Sequence, residues 1–550
     1  MVLPRLNLYE GRSLFLKFFF ALLFIFLVFR LLYLQLFDSS FLDRASKSRI
    51  VTEYVISVPR GAILDRHNKY LALDVSSHTL QLEIRAFKPS DDELKKLLIV
   101  LGMNKSSLLG KLELKGRKFI QVKRHLSSEE KKSIEKIGIK GMSFLTDLKR
   151  SYPQGEISAH AVGITDIDRN GLQGTEKLFD NYLKSTSGKF VGLRDRRGNK
   201  LDGLRVEAKR GKDVKMTLDI RLQSIAYSEL ASSIVDSGAK SGSIIMVDPV
   251  NSEILAMVNF PSFTPSNRKE LSDFSLLRNR SAIDLFEPGS VMKPLAMAAI
   301  IDSKIYDNNL IIETSPGWID YEGYITKDFR DYGKLNLSEI ISRSSNVGMV
   351  KLCSNMEKNL LYDYLSMFSV GKYPSSILIN SREGFLSYTD AVTERDKVSA
   401  CYGYGMSVTA IHLAQAYSIL AAKGIYKELK LFKNIDNEDP KGKRVLSLET
   451  SSIINNMLVQ AVNSSIGTGK KARINGISVS GKTGTSIKNQ GEKNIYSAIF
   501  AGYAPSDQPK LVTIIALHGL EDKNASAGLQ AAPIFSKVVE QSLHILDSGS

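Results

Sequence analysis

The chain has 550 residues, 43% hydrophobic and 24% charged, a globular balance that excludes a collagen-like, low-complexity or largely disordered protein. A mean hydropathy of -0.09 excludes a polytopic membrane protein, and two cysteines exclude a disulfide scaffold and most multi-cysteine metal sites. The 74 Lys and Arg exceed the 58 Asp and Glu, a net charge of +16 that suits polyanionic partners: nucleic acid, anionic lipid or an acidic wall polymer.

The first element is an apolar helix. Leu14 to Leu34 carries only Lys17 and Arg30 as charges, near its two ends, and Phe18 to Phe29 has no polar residue. At 1.5 Å per residue the run spans about 31 Å, one hydrocarbon thickness. It is long for a cleaved leader, and neither a small-residue cleavage site nor a cysteine for lipid attachment follows it. This predicts an uncleaved signal anchor over residues 14–36. Arg5, Arg12 and Lys17 then keep residues 1–13 as a cytoplasmic tail and place the rest of the chain outside the membrane. That location argues against nucleic acid as the partner. No later stretch is apolar for long enough to make a second span.

Residues 37–214 are polar, with short strand-like runs at Val51 to Val58 and Tyr70 to Leu73 around a turn at Asp65 to Lys69. Glu129 to Lys132 reads as a solvated helix face, and Lys209 to Asp213 as punctuation. From about residue 215 to the end, strands, helices and Gly-rich turns alternate. Ser243 to Val247 and Glu253 to Val258 predict a hairpin, and Ile495 to Tyr503 and Lys510 to His518 predict further strands. A last helix is expected to open at Pro533, with Ile534, Val538, Val539 and Leu543 on one face. The simplest assembly is a sheet flanked by N- and C-terminal helices, with a helical insertion between about 270 and 470.

Three short patterns carry chemistry. Ser290-Val291-Met292-Lys293 follows the breaker Glu287-Pro288-Gly289, so Ser290 is expected at a helix start. Residues three apart share a helix face, which puts an amine beside the hydroxyl as a base. The same spacing at Ser128/Lys131 and Ser133/Lys136 lies in charged runs and reads as wet helix surface. Ser344-Ser345-Asn346 offers a hydroxyl and an amide from a turn after the helical run Leu337 to Ile341; alone it is an ordinary cap. Ser480 to Thr485 alternates like a strand. Gly481 and Gly484 would let a substrate backbone come close, and Lys482, Thr483 and Thr485 give a cation and two hydroxyls suited to a carboxylate.

Each pattern is common, but their order and separation are specific. Together they resemble the motif set of penicillin-binding proteins and class A β-lactamases. Over nearly its whole length the chain resembles a class B penicillin-binding protein. Arg60 to Arg66 and Gly171 to Lys177 resemble that family's N-terminal signatures, with Gln173 where Glu is usual. Phe286 to Ser290 and Gly403 to Thr409 resemble catalytic-domain blocks. Thr483 after Lys482 resembles the division-specific, or septal, branch of penicillin-binding protein 3 type.

The resemblance implies an α/β (α+β) penicillin-binding/β-lactamase-like transpeptidase domain at 215–550. Its central antiparallel sheet would be flanked by helices. Before it would come one transmembrane helix and an elongated mixed α/β pedestal at 37–214. It implies a serine-type D,D-transpeptidase that cross-links peptidoglycan stem pentapeptides and is inhibited by β-lactams. In that scheme Ser290 attacks the penultimate D-Ala carbonyl, Lys293 is its base and Ser344 relays a proton to the leaving amine. Asn346 holds the donor's amide. Lys482, Thr483 and Thr485, with Gly484 between them, bind the terminal carboxylate. The amides of Ser290 and Thr485 form the oxyanion hole. No metal or organic cofactor is implied, and the expected partner is a polytopic division glycosyltransferase with other division proteins. Rival readings are an elongation-specific transpeptidase, a β-lactam sensor and a β-lactamase; a sensor would be expected to have more spans, and a β-lactamase would lack the long N-terminal region.

The remaining candidates have plain readings. Cys353 and Cys401, in apolar surroundings, could pair in an oxidising compartment, but two buried free thiols are the expected reading, since the chemistry needs neither. His160, His412 and His518 read as structural, Trp318 as a packing residue, and Arg194 to Arg197 as a solvated basic loop.

Overall fold

A computed structural model describes residues 7–36, 51–113, 117–194, 200–373, 381–386, 392–433, 442–490, 493–521 and 526–548. The chain divides into two compact units, Met1–Val58 with Ser185–Arg210, and Pro59–Lys184 with Gly211–Ser550.

The first unit holds the helix Asn7–Leu36, of which Gly11–Leu36 is long and apolar enough to cross a membrane, with a mean hydropathy of 2.5. From Leu14 to Leu32 its leucines and phenylalanines are exposed on all sides of the helix. The unit also holds a three-stranded antiparallel sheet in which Gly188–Arg194 lies between Val51–Ile56 and Lys200–Val206. Of the basic run Arg194 to Arg197, residues from 195 lie outside the described residues.

In the second unit, the Asp65 carboxylate accepts the amides of His67 and Lys69 at 2.8 Å each, and Asn68 takes a left-handed φ of 63°. This is the expected turn. The strand after it runs Tyr70–Glu83, well past Leu73, because residues 73–82 pair with Met142–Ser151. Asp74 to His78, with Val75 as its one apolar residue, carries no strand pattern of its own; the pairing partner imposes it. Helices Asp91–Leu101 and Ser128–Ile137 cover this sheet through Leu97, Leu101 and Ile134. Ser128 and Lys131 lie on the second of these helices, where Lys131 pairs with Glu135, the solvated face expected.

A buried ionic network ties distant segments of this region. Arg60 bonds Glu176 and Asp180 at 2.8 Å each. Arg150 bonds Glu176 at 2.6 Å and Asp74 at 3.2 Å, and Arg169 reaches Asp74 at 2.6 Å.

The central sheet has five antiparallel strands in the order Glu253–Phe260, Ser241–Asp248, Leu511–Leu520, Lys493–Ala504, Ser480–Gln490. Alternation along each strand feeds two cores. Ile244, Met246, Ala498 and Phe500 pack with helices Ile220–Ser237 and Ala527–Ser548. Ile245, Val247, Ile499 and Ala501 pack on the other face with the helical segments between residues 280 and 463. The hairpin, the late strands and the helical insertion are where the sequence pattern puts them. The last helix is not: it begins at Ala527 and carries Pro533 inside it. Burial of Ala527, Ala531 and Ala532 outweighs the one hydrogen bond that proline cannot make.

Candidate active site

Ser290 stands on the tight turn Gly289–Met292, which runs directly into helix Lys293–Asp302. Two glycine contacts fix this turn. Gly289 donates its amide to Gly403 O at 3.0 Å, and a Cβ on Gly403 would fall 2.0 Å from Gly289 O. A Cβ on Gly484 would fall 2.7 Å from Pro288 O and 2.8 Å from a Val291 methyl. The close approach allowed by Gly484 is therefore that of the protein's own serine turn, and Gly481 makes room for the Phe500 ring; neither is vacant for a substrate backbone at that face. Tyr417, fully buried, donates to Val291 O at 2.8 Å and holds the turn from below.

The opposite wall begins at helix Leu337–Arg343, opened by a capping box between Asn336 and Glu339. Ser344 ends it in the left-handed region at φ 60°, a conformation sparsely used by residues other than glycine. The reversal starts a new helix, Asn346–Ser354, with Ser345 as its cap. Ser344 and Asn346 thereby face the same point from two helix ends. That point is the Lys293 amine. Its Nζ lies 2.6 Å from Ser344 O, 3.2 Å from Ser344 Oγ and 2.7 Å from Asn346 Oδ1.

The third wall is the edge strand Ser480–Gln490. Lys482 donates to Ser344 Oγ at 3.0 Å and to Thr483 O at 3.0 Å. Thr483 Oγ1 donates to Thr468 Oγ1 at 2.8 Å, and Thr485 Oγ1 accepts the Ala527 amide at 3.1 Å. A cavity of about 450 Å³ lined by Phe286, Glu287, Ser407, Ser486 and Lys488 lies beyond Thr485 on the same strand.

Lys293 and Lys482 are both fully buried, and a cation there loses its hydration. Burial pushes the Lys293 amine well below the ordinary lysine range, the Lys482 charge pushes it further, and the Asp328 carboxylate opposes both. Burial alone brings Lys482 to about 7. A neutral amine has two N–H bonds and one lone pair. At Lys293, two carbonyl oxygens take the N–H bonds, which leaves the lone pair for a hydroxyl. The arrangement can move a proton from a serine to an amine without an external base. The Ser344 hydroxyl stands between the two lysines, in place to pass a proton on.

The structure thus brings Ser290, Lys293, Ser344, Asn346, Lys482, Thr483, Gly484 and Thr485 onto three walls of one cleft. It adds residues that sequence reading missed. Asp328 accepts from Ser345 Oγ at 2.6 Å, from the Val347 amide at 3.1 Å and from the Asn346 amide. It anchors the first turn of the Asn346 helix and sits near Lys293. The Asn346 side-chain amide is held from the other side by Lys327 O at 2.9 Å. Thr468 buttresses Thr483. None of these belongs to a local pattern: Lys327 and Asp328 come together from the end of strand Tyr324–Lys327, and Thr468 comes from a turn after helix Leu448–Asn463.

Two expectations are corrected. Cys353 and Cys401 are not free thiols: they form a disulfide between fully buried positions. Trp318 is not a packed residue. It opens the hairpin Trp318–Tyr321/Tyr324–Lys327 and is 48% exposed, because alternation turns Ile319 and Thr326 inward and Trp318 and Lys327 outward. The three histidines are held as structural groups: His160 against Leu276 O, His412 between Thr409 and Lys372 O, His518 on Ser497.

The sequence profile described as the penicillin-binding protein transpeptidase domain matches residues 242–540, and that of the penicillin-binding protein dimerisation domain matches residues 55–216. The chain is 31% identical over 523 residues to the probable peptidoglycan D,D-transpeptidase PbpC of Pseudomonas aeruginosa, covering 94% of this chain and 92% of that protein. It is 32% identical to the probable peptidoglycan D,D-transpeptidase PenA of Neisseria meningitidis over 98% of this chain and 93% of the relative. It is 30% identical to the peptidoglycan D,D-transpeptidase FtsI of Escherichia coli over 94% and 88%. Among solved structures, a peptidoglycan synthetase from Bifidobacterium adolescentis has the same fold, with a TM-score of 0.71 at 23% identity, covering 90% of this chain and 97% of that one. With its three-walled serine–lysine cleft and relatives matching end to end, the chain belongs to the class B penicillin-binding proteins, serine-type peptidoglycan D,D-transpeptidases.

Proposed function

We propose that this transpeptidase cross-links stem pentapeptides in the septal wall during division, with Ser290 as the nucleophile. The observation that carries the catalytic assignment is the buried Lys293 amine, bonded to Ser344 and Asn346 and placed one turn after Ser290. Ser290 attacks the penultimate D-Ala carbonyl while the neutral Lys293 accepts its proton. Ser344 relays a proton to the departing D-Ala amine, and Asn346 aligns the donor peptide. Lys482, Thr483 and Thr485 take the terminal carboxylate, and the amides of Ser290 and Thr485 receive the oxyanion. An amine of a second stem then resolves the acyl-enzyme. Residues 1–13 lie in the cytoplasm in this reading, and the helix over 14–36 anchors the chain in the inner membrane. Residues 37–214 act as a pedestal that docks a polytopic glycosyltransferase and other division proteins. Residues 215–550 carry the chemistry outside the membrane. Supporting the septal role are Thr483 after Lys482 and the resemblance to FtsI.

Fluorescent penicillin tests the site. Labelling is expected to vanish in Ser290→Ala and persist in Ser128→Ala; a labelled Ser290→Ala protein overturns the assignment. Lys293→Arg keeps the charge but supplies no neutral base, so acylation is expected to fall by about 10² or more. Depletion tests the cellular role: filamentous cells support division, and rounded cells support the elongation reading instead.

A further inference from the structure

We propose that the Cys353–Cys401 disulfide closes a ring of contacts around the active site, and that it is installed outside the cytoplasm by a protein dithiol–disulfide oxidant. The inference rests on the extracytoplasmic placement proposed above.

The ring can be walked residue by residue. Cys401 directly follows helix Glu394–Ala400, and two residues later Gly403 O accepts the Gly289 amide at 3.0 Å. Gly289 leads into Ser290, and the same turn runs into Lys293. Lys293 Nζ reaches Asn346 Oδ1 at 2.7 Å. Asn346 begins the helix that ends with Cys353 and Ser354, and Cys353 is bonded back to Cys401. Two walls of the cleft, the serine turn and the Asn346 helix, are therefore tied by a covalent bond on their far side. Without it, the walls are held together by packing and by the hydrogen bonds of the site itself.

The location of the sulfurs sets when the bond forms. Both are fully buried, so an oxidant cannot reach them once the helices have packed. A thiolate of one cysteine attacks the oxidant's disulfide and gives a mixed disulfide. The second cysteine displaces the oxidant as a dithiol, so two protons and two electrons leave the pair. With two cysteines in the chain only one intramolecular pairing exists, and no isomerisation step is needed.

The experiment uses the full-length chain in membranes and after purification. After denaturation without reductant, protein from cells with the extracytoplasmic oxidant is expected to resist a maleimide probe. Protein from cells lacking it is expected to take up two probe molecules. Purified Cys353→Ser/Cys401→Ser, and Cys353→Val/Cys401→Ala to refill the space without the bond, are then acylated by fluorescent penicillin at a temperature where circular dichroism shows them folded. Acylation is expected to fall about tenfold in both, within the loss that displacing a positioned group brings, and the wild type reduced in the unfolded state and refolded is expected to match them. Free thiols in protein from oxidising cells overturn the inference. So does a pair of variants that melt earlier yet acylate at the wild-type rate, which would make the bond a stabiliser and no more. Should both variants fail to fold, the refolded reduced wild type decides alone: acylation at the oxidised rate overturns the proposal. Ser290→Ala separates this test from the function itself, because labelling that survives in it refutes the nucleophile and leaves the ring untouched.

Discussion

At the scale of residues, the site is a problem in charge placed out of water. With Lys293 as the proposed base, its neutral form rises with pH through its folded pKa, so acylation is expected to show an acid limb centred below the usual lysine value of about 10.4. Its neighbours pull in opposite directions. Lys482→Ala removes a repelling cation, raises the Lys293 pKa and moves the limb to higher pH. Asp328→Asn removes the attracting anion, lowers the pKa and moves the limb to lower pH. The acylation rate of each variant against pH measures both shifts; shifts of one sign would refute the electrostatic account. The groups in the Ser290, Ser344 and Lys482 patterns were legible because each pattern is local and their separations are characteristic. Asp328 and Thr468 were not, because each meets its partner only after the chain has folded; the pairing of the two cysteines was open in the sequence, and only the fold decides it. The half-exposed Trp318 misled for a related reason: a four-residue strand gives too little alternation to show which face is wet.

At the scale of elements, the walls of the cleft owe their positions to close backbone approach. Gly403 combines φ 87° with a Cβ position 2.0 Å from Gly289 O. Gly403→Ala is therefore expected to cost about 2–4 kcal/mol from backbone strain and overpacking together. It should also push the Ser290 turn off the strand, so that thermal unfolding and penicillin labelling both fall. Gly405→Ala shares the left-handed backbone, with φ 71°, but has nothing near its Cβ, so it isolates the backbone strain of about 1–3 kcal/mol from the overpacking and should keep labelling. The hairpin, the late strands and the early turn were legible from alternation and turn chemistry. The strand Tyr70–Glu83 and the helix through Pro533 were misjudged in length, since in both the neighbour that extends the element lies far away in sequence.

At the scale of the molecule, two devices hold distant segments. One is the ionic network, in which Glu176 is shared by Arg60 and Arg150 with no exposed surface. Glu176→Gln leaves two buried guanidinium groups short of an anion and is expected to destabilise by about 3–5 kcal/mol. Urea unfolding measures the loss, while acylation per folded molecule should stay normal because no member of the network enters the cleft. The other device is the order of the central sheet. Among the described residues, strand Ser480–Gln490 pairs with Lys493–Ala504, which pairs onward with Leu511–Leu520, and of these three late strands it is Leu511–Leu520 that joins Ser241–Asp248. A chain still being made therefore carries the Ser290 segment early but has neither the Gly403 and Gly484 contacts that fix its turn nor a sheet on which to seat Lys482 beside it until the late strands arrive. The pairing of Leu511–Leu520 with Ser241–Asp248 spans more than 260 residues of sequence, the kind of long-range contact whose loop-closure cost slows folding. A chain that stops short of Leu511–Leu520 is therefore expected to stay unmarked by penicillin, however complete its serine segment.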